Sequence, residues 1–290
     1  MQIPIISHRG QKKPWNSIPR INWSHPLAAG LISYGYDVGC GPIDLVTGGL
    51  RTITNSTNPP FGGPQTSRYG RGFTCVATTG VGSSPYTVSG GANLENVGVA
   101  APYSFATGLM FTATPAVGAA GLFVNCDATS NRTFQVGCAS VSGTDLWWIF
   151  SNGGGLSVTA AGAIKINTFQ TALGVALTGS TAACYVDGVL NISPAVTTTS
   201  AVISGAKLSY WGLRSSGNQN TVSGFNYYGA VWKGRALTAK EARKLHDDPY
   251  CFLIYPEDEM FAENVGVTTV FPIIPSSEFQ PLQTKVVTYG

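Results

Sequence analysis

Between residues 72 and 232 one pattern recurs: a short apolar or alternating run, then a break rich in Gly, Ser, Asn or Thr. The runs fall at 72–78, 104–113, 120–126, 132–139, 145–151, 167–177, 182–187, 207–213 and 225–232. Many short strands separated by turn signals predict an all-β, two-sheet antiparallel sandwich. The 36 glycines suit such turns and weaken long helices. In Phe225-Asn226-Tyr227-Tyr228-Gly229-Ala230-Val231-Trp232 both alternating sets are mostly apolar, so this strand is expected to be central and covered on both sides. Asp187-Gly188 between two apolar runs predicts a hairpin, because both turn residues need positive φ. A single helix is expected. Thr238-Ala239-Lys240-Glu241 has the form of a capping box, Ala242 and Leu245 follow at helical spacing, and Pro249 closes a helix of about ten residues.

The ends differ from this body. Residues 1–29 read as an arm broken by Pro4, Pro14, Pro19 and Pro26. Residues 30–255 form the sandwich, with 55–71 a loop marked by Pro59-Pro60 and Gly62-Gly63-Pro64, and residues 256–290 form an extended tail. The N-terminal arm carries Arg9, Lys12, Lys13 and Arg20 with no acid. The tail carries Glu257, Asp258, Glu259, Glu263 and Glu278 against Lys285. Both ends are too apolar to be solvated tails, and Trp15, Trp23, Phe271 and Phe279 are the expected anchors on neighbouring subunits. Charged residues make up 11% of the chain, against about 25% in typical soluble domains, so much of the surface is expected to be buried in an assembly. A net charge of +3 gives no case for nucleic acid. No apolar stretch of membrane-spanning length and no signal peptide is legible, which places synthesis in the cytoplasm. Cys40, Cys75, Cys126, Cys138, Cys184 and Cys251 form no CxxC pair and read as free core thiols.

Five passages, in order, resemble the laminin-G-like, concanavalin-type domain of bacteriophage structural proteins. Trp23-Ser24-His25-Pro26-Leu27-Ala28-Ala29-Gly30-Leu31 is similar to the family's opening, and Asp44-Leu45-Val46-Thr47-Gly48 to the turn that follows. Gly70-Arg71-Gly72-Phe73 stands where a later strand opens. Ala176-Leu177 with Cys184-Tyr185-Val186-Asp187-Gly188-Val189 is similar to the family hairpin. The passage from Tyr228 to Glu241, with Arg235-Ala236-Leu237-Thr238 at its centre, is the most specific, and Leu253-Ile254-Tyr255-Pro256 is similar to the ending of phage members. The resemblance covers roughly residues 23–255. It implies a jelly-roll sandwich whose common roles are carbohydrate or protein binding, and it also admits calcium at a loop rim.

Four groups of residues could carry chemistry. Glu257 and Glu259 would share a strand face, but they lie in the tail and not on a concave strand, so no catalytic residue is assigned. His8, His25 and His246 have no Gly-x-Ser-x-Gly elbow to serve. Asp127, Asp145 and Asp187 lie near expected turns, where Asp is ordinary turn chemistry, and no metal ligands are assigned. Trp147 and Trp148, with Tyr210 and Trp211, are the candidates for stacking on a sugar ring; core or interface packing is the plainer reading of the same residues. The function expected from all this is a non-enzymatic virion structural protein, a capsid-decoration or particle-surface subunit with no cofactor, locked into the assembly through its arms. Its partners would be capsid or tail proteins, copies of itself and host-surface glycans. A tail-associated receptor-binding protein is the alternative, and a glycan hydrolase a remote one.

Overall fold

Two strands of the sequence, 103–111 and 169–176, are buried at every position, which requires cover on both faces. The computed structural model supplies that cover. It describes residues 18–37, 42–48, 61–75, 86–89, 102–114, 118–126, 132–140, 146–152, 155–158, 163–176, 182–192, 207–210, 223–255, 271–273 and 283–285. In chain order the strands are β1 (Arg20–Ile21), β2 (Leu31–Asp37), β3 (Pro42–Asp44), β4 (Phe61–Ser67), β5 (Gly70–Cys75), β6 (Tyr86–Ser89) and β7 (Tyr103–Phe111). Then come β8 (Gly118–Cys126), β9 (Arg132–Ser140), β10 (Leu146–Asn152), β11 (Gly155–Val158), β12 (Phe169–Ala176), β13 (Ala182–Val186) and β14 (Val189–Ile192). After β15 (Lys207–Tyr210) and β16 (Gly224–Lys233) follow the helix α1 (Ala239–Asp247), β17 (Leu253–Ile254), β18 (Phe271–Ile273) and β19 (Gln283–Lys285).

A nine-stranded sheet runs β14-β13-β12-β7-β16-β2-β3, with β5 also paired to β16 and β4 to β5. A six-stranded sheet runs β11-β10-β9-β8-β15-β6. All the named ladders are antiparallel. β9 approaches β7 and β12, so the sheets stack face to face as a jelly-roll sandwich. Each of the nine expected runs overlaps a strand, and α1 carries both bonds of the capping box between Thr238 and Glu241. The expected loop 55–71 is different: Phe61–Ser67 is a strand. It pairs only with β5, and an edge strand of that kind tolerates Pro64.

The nine-stranded sheet sorts its residues by alternation. Ala106, Met110, Leu173, Val175, Tyr228, Ala230, Trp232, Tyr34 and Tyr36 belong to one core cluster with Leu245, Tyr250, Phe252 and Tyr255 from the helix region and Ile21, Leu27 and Ala28 from the N-terminal segment. The intervening residues Phe105, Leu109, Phe111, Ala172 and Val231 are also buried and face the six-stranded sheet. Glycine is required where the rings cross: a Cβ on Gly108 would lie 2.2 Å from Tyr228, and one on Gly174 2.2 Å from Phe105.

Residues 18–29, expected as part of an arm, are bound to the sandwich. β1 pairs with β17, and Ile21, Leu27 and Ala28 are buried. The Trp232 indole N–H donates to the Leu27 carbonyl at 2.7 Å. Arg235 donates to the carbonyls of Pro26 and Ala29 and pairs with Glu241, whose other oxygen accepts from the Thr238 amide. Ser104 Oγ donates to the Arg235 carbonyl and accepts from the Leu237 amide. The passages 23–31 and 228–241 are therefore two halves of one staple, closing the sheet where the first strand meets the last. The Asp44 passage has a similar role: its buried carboxylate accepts from Ser33 Oγ and from the amides of Tyr34 and Val46, at 2.7, 3.1 and 3.0 Å. Tyr255 is buried with its hydroxyl 3.2 Å from that of Tyr36. Among the described residues Cys138, Cys184 and Cys251 are free thiols, and burial pushes the Cys184 thiol up to about 12. No helix among the described residues is long and apolar enough to cross a membrane.

Candidate functional site

Two groups of described residues have the composition of a chemical site. The first surrounds the hairpin turn, where Asp187 and Gly188 take φ of 52° and 73° as the Asp-Gly pair requires. Asp187 accepts from the Thr171 amide, the Gln170 side-chain amide and Lys165 Nζ, at 3.2, 3.1 and 3.1 Å. His246, near the end of α1, places Nδ1 3.2 Å from Thr171 Oγ1 and 3.8 Å from Asp187 Oδ1. A hydrolytic relay needs the nucleophile on one ring nitrogen and the carboxylate on the other. Here both face Nδ1, and these contacts tie the helix to the hairpin. Burial, working against the pull of Asp187 and Asp247, lowers the pKa of His246.

His25 is likewise structural. Its Nδ1 accepts the Leu27 amide at 3.1 Å and caps the turn Pro26–Ala28. Burial, then the charges of Lys244 and Arg235, lower its pKa, which favours the neutral ring that can accept that bond. Among the described residues no three His, Cys, Asp or Glu side chains meet as metal ligands. His8, Asp127, Asp145, Glu257 and Glu259 lie outside the described residues.

The other place is the six-stranded sheet, where register divides the aromatic candidates. Trp148 pairs with Cys138, and Trp147 with Ala139. Cys138 and Val136 are fully buried, and directly paired residues share a sheet face. Trp148 therefore holds a position on the inner face. So does Tyr210, which pairs with Phe123, itself the partner of Val136. Trp147 holds a position on the opposite, outer face. Ile149, paired with Gly137 and Val158, and Ser151, paired with Gln135 and Leu156, follow it there. Alternation around Trp147 could have suggested these neighbours, but only the pairing with β9 identifies the face. The helix α1, the N-terminal residues Ile21, Leu27 and Ala28, and Tyr250, Phe252, Leu253 and Tyr255 pack on the nine-stranded sheet, and none of these has its principal packing on the outer face of the six-stranded one.

Of the expected assembly anchors, Trp23 is 59% exposed in the turn closed by the bond from the His25 amide to the Asn22 carbonyl. Ile18, where the described N-terminal segment begins, is also exposed. Phe271 opens β18, which pairs with β19. Trp15, Trp211 and Phe279 lie outside the described residues.

No known family profile matches the chain, and no curated protein matches it in sequence. Solved structures match its fold. Trypanosoma rangeli sialidase in complex with sialic acid aligns with a TM-score of 0.54 and 13% identity, over 76% of this chain and 33% of that one. The botulinum neurotoxin serotype D binding domain aligns with a TM-score of 0.51 and 9% identity, over 75% of this chain and 51% of that one. The chain thus spans about a third of the sialidase and about half of the toxin domain. At these identities the likeness is one of fold, a β-sandwich.

Proposed function

We propose that the chain is a non-enzymatic subunit of a bacteriophage particle that recognises carbohydrate through the outer face of its six-stranded sheet. One observation carries the reading: the sandwich is covered asymmetrically. The nine-stranded sheet is overlaid by the helix α1 and by residues 18–29 and 250–255, whereas the six-stranded sheet places Trp147 and Ile149 at positions on a face where none of these segments has its principal packing. An aromatic residue at position 147, with the polar residues Ser151 and Gln135 at register positions of the same face, suits a sugar ring, apolar on its faces and rimmed by hydroxyls. A sandwich of the same fold occurs in the sialidase solved with sialic acid, which supports the ligand class. The particle setting draws on the ordered phage-like motifs and on the scarcity of charge. The reading is non-enzymatic because the described histidine beside a carboxylate, His246 with Asp187, serves as a structural tie. Exposed Trp23 supports a second contact, attachment to a neighbouring subunit.

A glycan array tests this reading. The intact chain is expected to give hits, and Trp147→Ala to weaken them roughly tenfold or more, as removal of a stacking partner worth about 1.5 kcal/mol would. Binding that survives Trp147→Ala unchanged, or an array with no hits, would count against it.

A further inference from the structure

We propose that Arg68 forms the centre of an anion site at one end of the sandwich, suited to the carboxylate or sulfate group of an acidic saccharide. The turn between β4 and β5 is rigid: the Tyr69 amide donates to Ser67 Oγ at 3.0 Å, and Ser67 Oγ donates to the Gly70 carbonyl at 3.2 Å. Ser67 Oγ also shares a 2.6 Å hydrogen bond with the Tyr227 hydroxyl. The Arg68 guanidinium lies 4.8 Å over the Tyr69 ring. That ring is itself packed on Phe169 and Tyr227, with centroids 5.5 and 6.4 Å away. One Arg68 Nη2–H is given to the carbonyl of Asn167, a residue at φ 55° whose own amide donates to the Phe111 carbonyl at 2.7 Å.

The guanidinium is therefore held on one face and at one donor, and it is exposed. An arginine carries five N–H donors in a fixed fork, which fits two oxygens of a carboxylate or sulfate. No described carboxylate pairs with Arg68, whereas the nearby cation Lys165 is committed to Asp187. A guanidinium pre-positioned in this way loses little side-chain freedom on binding, the cost that makes free surface arginines poor receptors. That the ligand is a saccharide rests on the preceding reading; that it is anionic does not.

Arginine Nε–Hε NMR signals of the intact chain, with Arg68 identified from the Arg68→Lys variant, read the site directly. The probes are galacturonate, galactose 6-sulfate and galactose. At least one of the two charged sugars is expected to move the Arg68 signal while galactose does not, and Arg68→Lys is expected to weaken that sugar's binding about tenfold, because lysine cannot present the paired donors. Failure of both charged sugars to move the signal, or an equal response to galactose, overturns the anion site. Galactose binding that Trp147→Ala removes, with the Arg68 signal still under all three sugars, would refute this site and leave the preceding reading standing. A response at Arg68 to a charged sugar that persists in Trp147→Ala would uphold the anion site as one separate from the sheet face.

Discussion

A chain beginning at residue 30 is expected to be less stable by at least about 5 kcal/mol than one beginning at residue 18, enough to leave a marginal domain unfolded. The twelve residues that distinguish the two include Ile21 and Leu27, both buried, and each such side chain contributes about 1.5–3 kcal/mol. Their loss also removes the Leu27 carbonyl from the buried Trp232 indole, the Pro26 and Ala29 carbonyls from Arg235, and β1 from β17. Urea unfolding of the two chains measures the difference. Equal midpoints would show that the segment is an independent arm after all.

Trp232→Ala should cost about 3–5 kcal/mol, the range for deleting a large aromatic from a close-packed core. Trp232 is fully buried in β16, next to Ala230 and Tyr228 on the face that the staple covers. The substitution leaves a cavity under Leu27 and strips that buried carbonyl of its donor, a separate penalty of about 1–3 kcal/mol if no water replaces it. Trp232→Phe keeps most of the volume and isolates the hydrogen-bond loss. Denaturant unfolding of both variants separates packing from bonding; a loss below about 1 kcal/mol in Trp232→Ala would mean that the staple does not close the fold.

These effects explain which parts of the architecture could be read from sequence. The strands whose signal is local were legible: β16 from apolar residues on both faces, the β13–β14 hairpin from Asp187-Gly188, and α1 from Thr238 and Glu241. β4 was not, because Pro64 and its glycines carry turn chemistry while the pairing that makes them a strand comes from β5. The docking of residues 18–29 was hidden for a similar reason. Its apolar residues, Ile18, Ile21, Trp23, Leu27 and two alanines, are scattered among prolines without strand or helix period, and its partners Trp232 and Arg235 lie some two hundred residues away in sequence. Of the motifs that carry the family resemblance, passages 23–31 and 228–241 form the staple and Asp44 holds the amides of Tyr34 and Val46. At the candidate face, adjacent Trp147 and Trp148 hold positions on opposite faces, and only the pairing with β9 puts Trp148 opposite the buried Cys138. Arg68 is an unremarkable residue in the sequence; its hold depends on Asn167, 99 positions on.

Recognition is proposed on the outer face of the six-stranded sheet, with residues 18–29 and the helix α1 packed on the nine-stranded sheet. Hydroxyl-radical footprinting, read residue by residue with and without the strongest glycan from the array, tests it most directly. The account predicts protection at Trp147 and its register neighbours Ile149 and Val158, with Trp23 and the helix residues Lys240 and Arg243 unchanged. Protection confined to Trp23 and the helix, with Trp147 labelled equally in both states, would contradict it.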